Sequence, residues 1–406
     1  MSLDCCIIGG GIIGLSIARE LAGRGHRVRV LARDRRRDTA SWAAAGIFPP
    51  VSARPSADAN LALTAFSDRL HRTWARELHA ETGIDNGLVA CGGLHVAAGA
   101  ANLALLEVEA NEWRSRGVRC DWIDAAGVIR LEPVLAAAVA SDRISGGLLL
   151  PDEMRIRPPR HLEALERSCS ARGVRLVSET EVVGVTVAAG RLTGVEAVVA
   201  GRRQRFEADA YVLAAGAWTG ELAESLGLAI DTRPIRGQIA LLAFPEPLLS
   251  RVVNRGLDYL VPREDGRVLV GSTLEDVGFD RSTVAADIDR LLAVAADLLG
   301  DISAATVEQT WAGLRPGSAD GLPRIGRVPA CDNAFLAACH FRAGLHQSTG
   351  TAVLVADLVE DRSPSLDVEP FAPGRPAGPP GPDSVPVMLA RARHSMGTLP
   401  IEARRG

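Results

Sequence analysis

The chain has 406 residues, 47% of them hydrophobic and 23% charged, with a formal net charge of −4. This composition excludes a disordered or fibrous protein, and the charge balance offers no basic face for nucleic acid. All 45 basic residues are arginine. The absence of lysine excludes Schiff-base chemistry, pyridoxal phosphate attachment and a lysine-bearing phosphate loop, although arginine-rich codon usage is explanation enough for it. At about 150 residues per domain, two or three domains are expected.

Seven cysteines, Cys5, Cys6, Cys91, Cys120, Cys169, Cys331 and Cys339, form no CxxC pair. Their odd number and scatter argue against a disulfide framework or a metal site, and a reducing cytoplasm is the expected compartment. The first strand begins by Asp4, which leaves no room for a signal peptide. No apolar run reaches 18 residues, so a membrane span is not expected.

In chain order, Cys5–Ile8 reads as a strand buried on both faces. A glycine-rich turn follows, then a helix with Ile13, Ile17 and Leu21 on one side, ended by Gly23 and Gly25, and a second strand over 28–31. Residues 57–82 and 101–117 read as helices, 91–96 as a strand of another sheet, 160–172 as a helix and 174–177 as a strand. Residues 211–218 read as an apolar strand ending in a small-residue turn. Alternating strands at 236–243, 258–263 and 267–272 suggest a mixed or antiparallel sheet. Residues 284–299 and 349–359 read as helices. From Pro373 to Pro386, nine of 14 residues are proline or glycine, so 373–406 is expected to be a flexible extension, with a short helix over 387–394 as the one element it could hold and no function assigned to it.

The turn Gly9-x-Gly11-x-x-Gly14 matches GxGxxG in the strand–turn–helix context that a dinucleotide site requires. Gly9 permits the tight turn, Gly11 lets a pyrophosphate approach the backbone, and Gly14 lets the helix pack on the sheet. Ile12 and Ile13 open the helix whose N-terminus stabilises the phosphate charge. The acid expected near position 32 is replaced by Ala32. Asp34 is the candidate for the ribose hydroxyls, with Arg33 beside the pyrophosphate or adenine; a solvated basic loop over Arg33–Arg37 is the alternative.

Ser41-Trp42-Ala43-Ala44-Ala45-Gly46-Ile47 resembles the S-x-A-A-A-G-(M/I) segment of the D-amino-acid oxidase superfamily of flavoproteins. Leu213-Ala214-Ala215-Gly216-Ala217-Trp218 is similar to that family's LAAGAW strand, and Glu181-Val182 fits its adenine-side valine. Further matches are Arg236-Gly237-Gln238, Tyr259-Leu260-Val261-Pro262-Arg263, Trp311-Ala312-Gly313-Leu314-Arg315-Pro316 and His340-Phe341-Arg342-Ala343-Gly344-Leu345. The resemblance is closest to the glycine oxidase branch, which is tied to thiamine biosynthesis.

It implies an α/β fold: a Rossmann-like FAD-binding domain assembled from residues 1–88, 150–232 and 315–372, with a mixed-sheet substrate domain from 89–149 and 233–314. FAD is the implied cofactor, held by Gly9, Gly11, Ile12, Ile13, Gly14, Arg33, Asp34, Ser41, Ala45, Gly46, Ile47, Val182 and Gly216. On the flavin side the resemblance adds His340, Phe341, Ala343, Gly344, Leu345 and His346. Family members are often homo-oligomers.

For the substrate, the resemblance makes Arg315 the carboxylate clamp. Independently, an arginine between Leu314 and Pro316 is out of any helix and must be paired if buried; Asp320 is the structural alternative. Tyr259 is implied to donate its hydroxyl to the same carboxylate. Arg342 lies near the substrate in the family, with loop anchoring as the alternative. Leu257 and Leu274 are expected to line a small apolar pocket. Beyond Gly344 the family usually has apolar residues and a proline, whereas this chain has His346-Gln347-Ser348-Thr349, where Ser348 or Thr349 suits a helix cap.

The implied reaction is oxidation of a small amino acid at Cα by hydride transfer to flavin N5, with oxygen reduced to hydrogen peroxide. Sarcosine oxidation, a D-amino-acid dehydrogenase with another acceptor, and a non-catalytic flavin-binding protein are the alternatives. The missing lysine argues against the sarcosine branch. Cys331 and Cys339 leave covalent flavin attachment open.

Overall fold

The computed structural model describes residues 1–33, 37 and 39–397, the last four of them as backbone only. Two large sheets organise it. The first has six strands in the order Arg324–Arg327, Ala334–Ala338, Ala210–Leu213, Asp4–Ile8, Arg27–Leu31 and Arg175–Val177. All pairings are parallel except the one between Arg324–Arg327 and Ala334–Ala338.

Its central strand explains why both faces are covered. Alternate side chains point to opposite sides of a strand. Cys5 and Ile7 pack with Ile17, Leu21, Leu165 and Val355 from helices Ile12–Gly23, Pro158–Ala171 and Gly344–Val359. Cys6 and Ile8 pack with Leu192, Val195 and Phe206. These belong to an antiparallel three-stranded sheet of Thr180–Ala188, Arg191–Val199 and Arg202–Phe206. The result is the doubly covered α/β architecture that a continuous apolar strand demands.

The second sheet has nine strands. From one edge they run Glu275–Asp276, Arg233–Ala243, Arg267–Gly271, Asp258–Pro262, Val252–Arg255, Gly93–Ala97, Gly146–Leu150 and Asp121–Asp124. Thr306–Gly317 pairs along Arg233–Ala243 over most of its length. One parallel pairing, Val252–Arg255 with Gly93–Ala97, makes the sheet mixed. Helix Ala285–Leu299 packs on one face through Leu291, Val294 and Leu298. On the other face Ile239, Tyr259, Val261 and Leu269 meet Ala45 and Ile47.

The strand beginning at Ala210 ends at Leu213 in the small-residue turn the sequence led one to expect, with Gly216–Trp218 a 3-10 turn. Two expectations are corrected. The last apolar helix begins at Gly344 rather than Thr349. Ser348 and Thr349 are therefore interior residues, not caps: the Ser348 hydroxyl donates to Leu345 O at 2.9 Å and the Thr349 hydroxyl to Ser67 O at 2.9 Å.

The C-terminal segment is the second correction. Residues 373–384 pack along residues 320–329, with Arg324 Nη1 donating to Arg375 O at 2.5 Å and Gly381 N–H donating to Asp320 O at 3.3 Å, and a helix spans Val385–Gly397. Val385 and Met388 are buried with Ile235 and Phe341. Proline and glycine abundance hid an anchor supplied by charge: Asp320 pairs with Arg375 at 2.5 Å and accepts from Gly378 N–H at 3.0 Å. Among the described residues no helix is long and apolar enough to cross a membrane. No group of three potential metal ligands occurs among them either.

Candidate active site

The glycine turn is fixed by contact on two sides. Gly9 has φ +121°, and a Cβ there would stand 2.2 Å from Ala214 O. At Gly14 a Cβ would stand 1.9 Å from Gly9 O, so Gly14 packs beneath the turn instead of lining the cleft above it. Gly11 is different: a Cβ would approach only Ser41 Oγ, at 3.2 Å. Its open side faces the cleft. The Ser41 hydroxyl accepts the Ile12 N–H at 2.9 Å and joins the turn to the small-residue segment. The N-cap residue, Gly11, brings no side chain of its own and Ser41 takes only the Ile12 N–H, so the remaining free N–H groups of the first turn suit a phosphate.

A cleft of about 930 Å³ runs from this turn to the face of the second sheet. Gly9, Gly11, Ile12 and Ile13 line its start, and Arg33, Val182 and Gly216 line one end. The Arg33 guanidinium lies 4.1 Å from the centroid of the Trp218 ring. Asp34 falls outside the described residues.

Ser41, Ala45, Gly46 and Ile47 form the middle of the cleft wall. Two interactions hold this segment. Trp311 Nε1–H donates to Ala43 O at 3.2 Å, and Arg263 Nη2–H donates to Ala45 O at 2.9 Å. Arg263 is buried, and that burial, aided by the nearby charges of Arg155 and Arg157, pushes its pKa down to about 9. Gly46 has φ +78°, and a Cβ there would stand 2.2 Å from Ile156 O.

His340, Phe341, Arg342, Ala343, Gly344, Leu345 and His346 line the cleft on its other side. The turn into their helix puts Phe341 at φ +46°. His340 Nε2 is 3.0 Å from the Thr351 hydroxyl, and burial drives its pKa down to about 3, so it stays neutral. His346 stacks on Phe48 at 4.2 Å and reaches Asp68 Oδ1 at 3.0 Å. The polar run after Gly344 is thus absorbed by helix Ala59–Thr82, which carries Asp68 and Ser67. Cys339 faces Thr232 at 3.2 Å and Cys331 faces Asn333; neither lines the cleft.

Arg315 and Tyr259 meet at the second sheet. The Arg315 guanidinium donates to Ser272 Oγ at 2.8 Å and to Thr273 O at 3.2 Å. Among the described residues it has no carboxylate partner within ion-pair distance. The alternative partner, Asp320, is held by Arg375. Burial lowers the Arg315 pKa and neighbouring Tyr259 opposes that shift.

Tyr259 is buried at the cleft wall. In register it faces Gly271 on one side and Asn254 on the other. Arg342 lines the same cavity, and its Nη1 is 3.8 Å from Met388 Sδ. Leu257 lines the cleft as expected. Leu274 does not; it packs with Leu257 against the Phe341–Met388 cluster.

Sequence reasoning missed the two glycines that shape this end. A Cβ at Gly237 would stand 2.0 Å from Arg315 Nη1, and one at Gly271 would stand 2.6 Å from the Tyr259 ring. Arg236-Gly237-Gln238 carries the first, but only strand register reveals what it faces.

A dinucleotide turn opening into a cleft that reaches a half-buried guanidinium, with no carboxylate partner among the described residues, has the form of an enzyme built around a dinucleotide cofactor. The FAD dependent oxidoreductase family model matches residues 4–358, and the chain belongs to that family. It is 34% identical to glycine oxidase of Geobacillus kaustophilus, over 92% of this chain and 97% of that protein. It is 33% identical to glycine oxidase of Pseudomonas putida, over 92% and 99% respectively. The crystal structure of the Geobacillus kaustophilus glycine oxidase superposes with a TM-score of 0.84, covering 93% of this chain and all of that one, at 33% identity. The protein is an FAD-dependent, amino-acid-oxidase-like oxidoreductase.

Proposed function

We propose that the protein oxidises a small amino acid, glycine or one similar to it, at Cα and passes the electrons to oxygen. The carrying observation is Arg315, a cation without an acid partner among the described residues, in the cleft that starts at the dinucleotide turn. Its fork suits a carboxylate bidentately. The Tyr259 hydroxyl completes that grip, and Arg342 adds positive charge.

In this reading Gly9, Gly11, Ile12 and Ile13 hold the pyrophosphate of FAD, and Arg33 and Val182 flank the adenine. Ser41–Ile47 and His340–His346 flank the flavin. Gly14 supports the turn from below. FAD, when bound, accepts the hydride that leaves the substrate Cα. The chain's own contribution is positioning. Arg315 and Tyr259 fix the acid end, the small residues at 43–47 leave room for a flat ring, and no general base is required once the amine is neutral. Water hydrolyses the imine product, or the imine passes onward to thiazole synthesis, as the resemblance to the thiamine-linked branch suggests.

The test is oxygen consumption and peroxide formation by the purified holoenzyme with glycine, sarcosine and D-alanine, repeated on Arg315→Ala. Turnover that is lost in the variant while flavin content is retained supports the reading. Full turnover in the variant overturns it. Reduction of a dye without oxygen uptake would replace oxygen by another acceptor.

A further inference from the structure

The C-terminal segment lies beyond the family match, which ends at residue 358. It nevertheless reaches the cleft. Pro382, Asp383 and Arg391 line the same cavity as Arg315 and Tyr259. The segment is seated rather than draped. Val385 N–H donates to Ser318 O at 3.1 Å. Gly317, two residues beyond Arg315, leaves the space Val385 fills: a Cβ there would stand 2.2 Å from Val385 Cγ2. Met388 is buried against Phe341, and its sulfur faces the Arg342 guanidinium at 3.8 Å. A thioether is an adaptable, weakly accepting surface for a cation.

We propose that the segment from Arg375 to Arg391 is the outer wall of the substrate site, and that Met388, by holding Arg342, sets how long a substrate side chain the site accepts. The inference rests on the reading that a carboxylate binds at Arg315. Arg342 has no acid partner among the described residues, so the Met388 contact and the Phe341 cluster are what keep it in place. Without the helix, Phe341 and Ile235 lose their cover and the cavity opens on that side. With it, the space beyond Cα is closed. Met388 is a positioning residue; it does not line the cleft itself.

The test uses the holoenzyme and two carboxylic acids, acetate and hexanoate, whose binding is followed by the change in flavin absorbance. Three forms are compared with the parent: Met388→Ala, Met388→Leu, and a chain ending at Ser384, which keeps the Arg375–Asp320 anchor. The hexanoate-to-acetate affinity ratio should rise about tenfold in Met388→Ala and at least as much in the shortened chain, since hexanoate adds several methylenes to bury. Met388→Leu, which keeps the bulk against Phe341 but loses the sulfur that faces Arg342, should raise the ratio too, by less than Met388→Ala. Should the shortened chain not fold, Met388→Ala decides. An unchanged ratio in Met388→Ala, with acid binding still abolished by Arg315→Ala, overturns the wall and leaves the functional reading standing. Acid binding that survives Arg315→Ala overturns both.

Discussion

Gly237 and Arg315 occupy space that only one side chain can use: a Cβ on the glycine would stand 2.0 Å from Nη1 of the arginine. The atom in the way is the far end of a flexible side chain, not backbone. Gly237→Ala should therefore fold with a melting temperature near the parent's, because the guanidinium can swing aside. In the proposed reading the same swing takes the guanidinium away from the substrate carboxylate. The kcat/KM for the amino acid is expected to fall about 10- to 100-fold, the worth of one charge-assisted hydrogen bond, with flavin stoichiometry unchanged. Steady-state kinetics beside a thermal melt check both halves.

Tyr259→Phe separates hydroxyl from ring. The ring's seat against Gly271 is retained, so the sheet should be undisturbed. Only the bond offered to the substrate acid disappears. A loss of about tenfold in kcat/KM is expected, with acetate binding weakened to a similar degree. Kinetics equal to the parent's would remove Tyr259 from the site.

Two glycines of the turn should behave differently. Gly14→Ala sets a methyl 1.9 Å from a backbone oxygen, which cannot rotate away, so both flavin content and melting temperature should fall. Gly11→Ala meets only the Ser41 hydroxyl, at 3.2 Å. That protein should fold as an apoprotein but bind FAD at least about tenfold more weakly, because the methyl occupies the pyrophosphate approach. Absorbance at the flavin band and a melt of the apoprotein distinguish them.

Acid should release the C-terminal segment. Burial by itself would raise the Asp320 carboxyl, but Arg375 and the Leu322 and Gly378 N–H groups outweigh it and hold the pKa at about 2, against an ordinary 3.8. A depressed carboxylate stabilises the fold fully above its unfolded pKa, and that contribution is lost as the pH falls from about 4 towards 2. Arg375→Ala should produce the released segment at neutral pH instead. Limited proteolysis at pH 7 should then cut between 376 and 384 in the variant while the parent resists.

Legibility in the sequence followed locality. The dinucleotide turn could be found because its three glycines, the strand before them and the helix after them are contiguous. Arg315 and Tyr259 stood out through their apolar neighbours and the resemblance they helped carry, and the structure brings both to one cleft. Gly237 and Gly271 were invisible as partners because what they face is decided by the register of strands far apart in the chain. Ser348 and Thr349 resembled caps, but their hydroxyls serve the Leu345 and Ser67 carbonyls inside a longer helix. The C-terminal segment was misjudged because composition counts prolines and glycines but cannot see that Arg375 finds Asp320 across 55 positions of chain.

The order of strands in the first sheet has a consequence for biosynthesis. Asp4–Ile8 sits at its centre, flanked by Arg27–Leu31 and by Ala210–Leu213, which in turn needs Ala334–Ala338 beside it. A ribosome has delivered the phosphate turn long before it delivers the neighbours that brace it. Most of the polypeptide must have emerged before the nucleotide has anywhere to lodge, so vitamin loading is a late event, and a chain stalled midway is a colourless one.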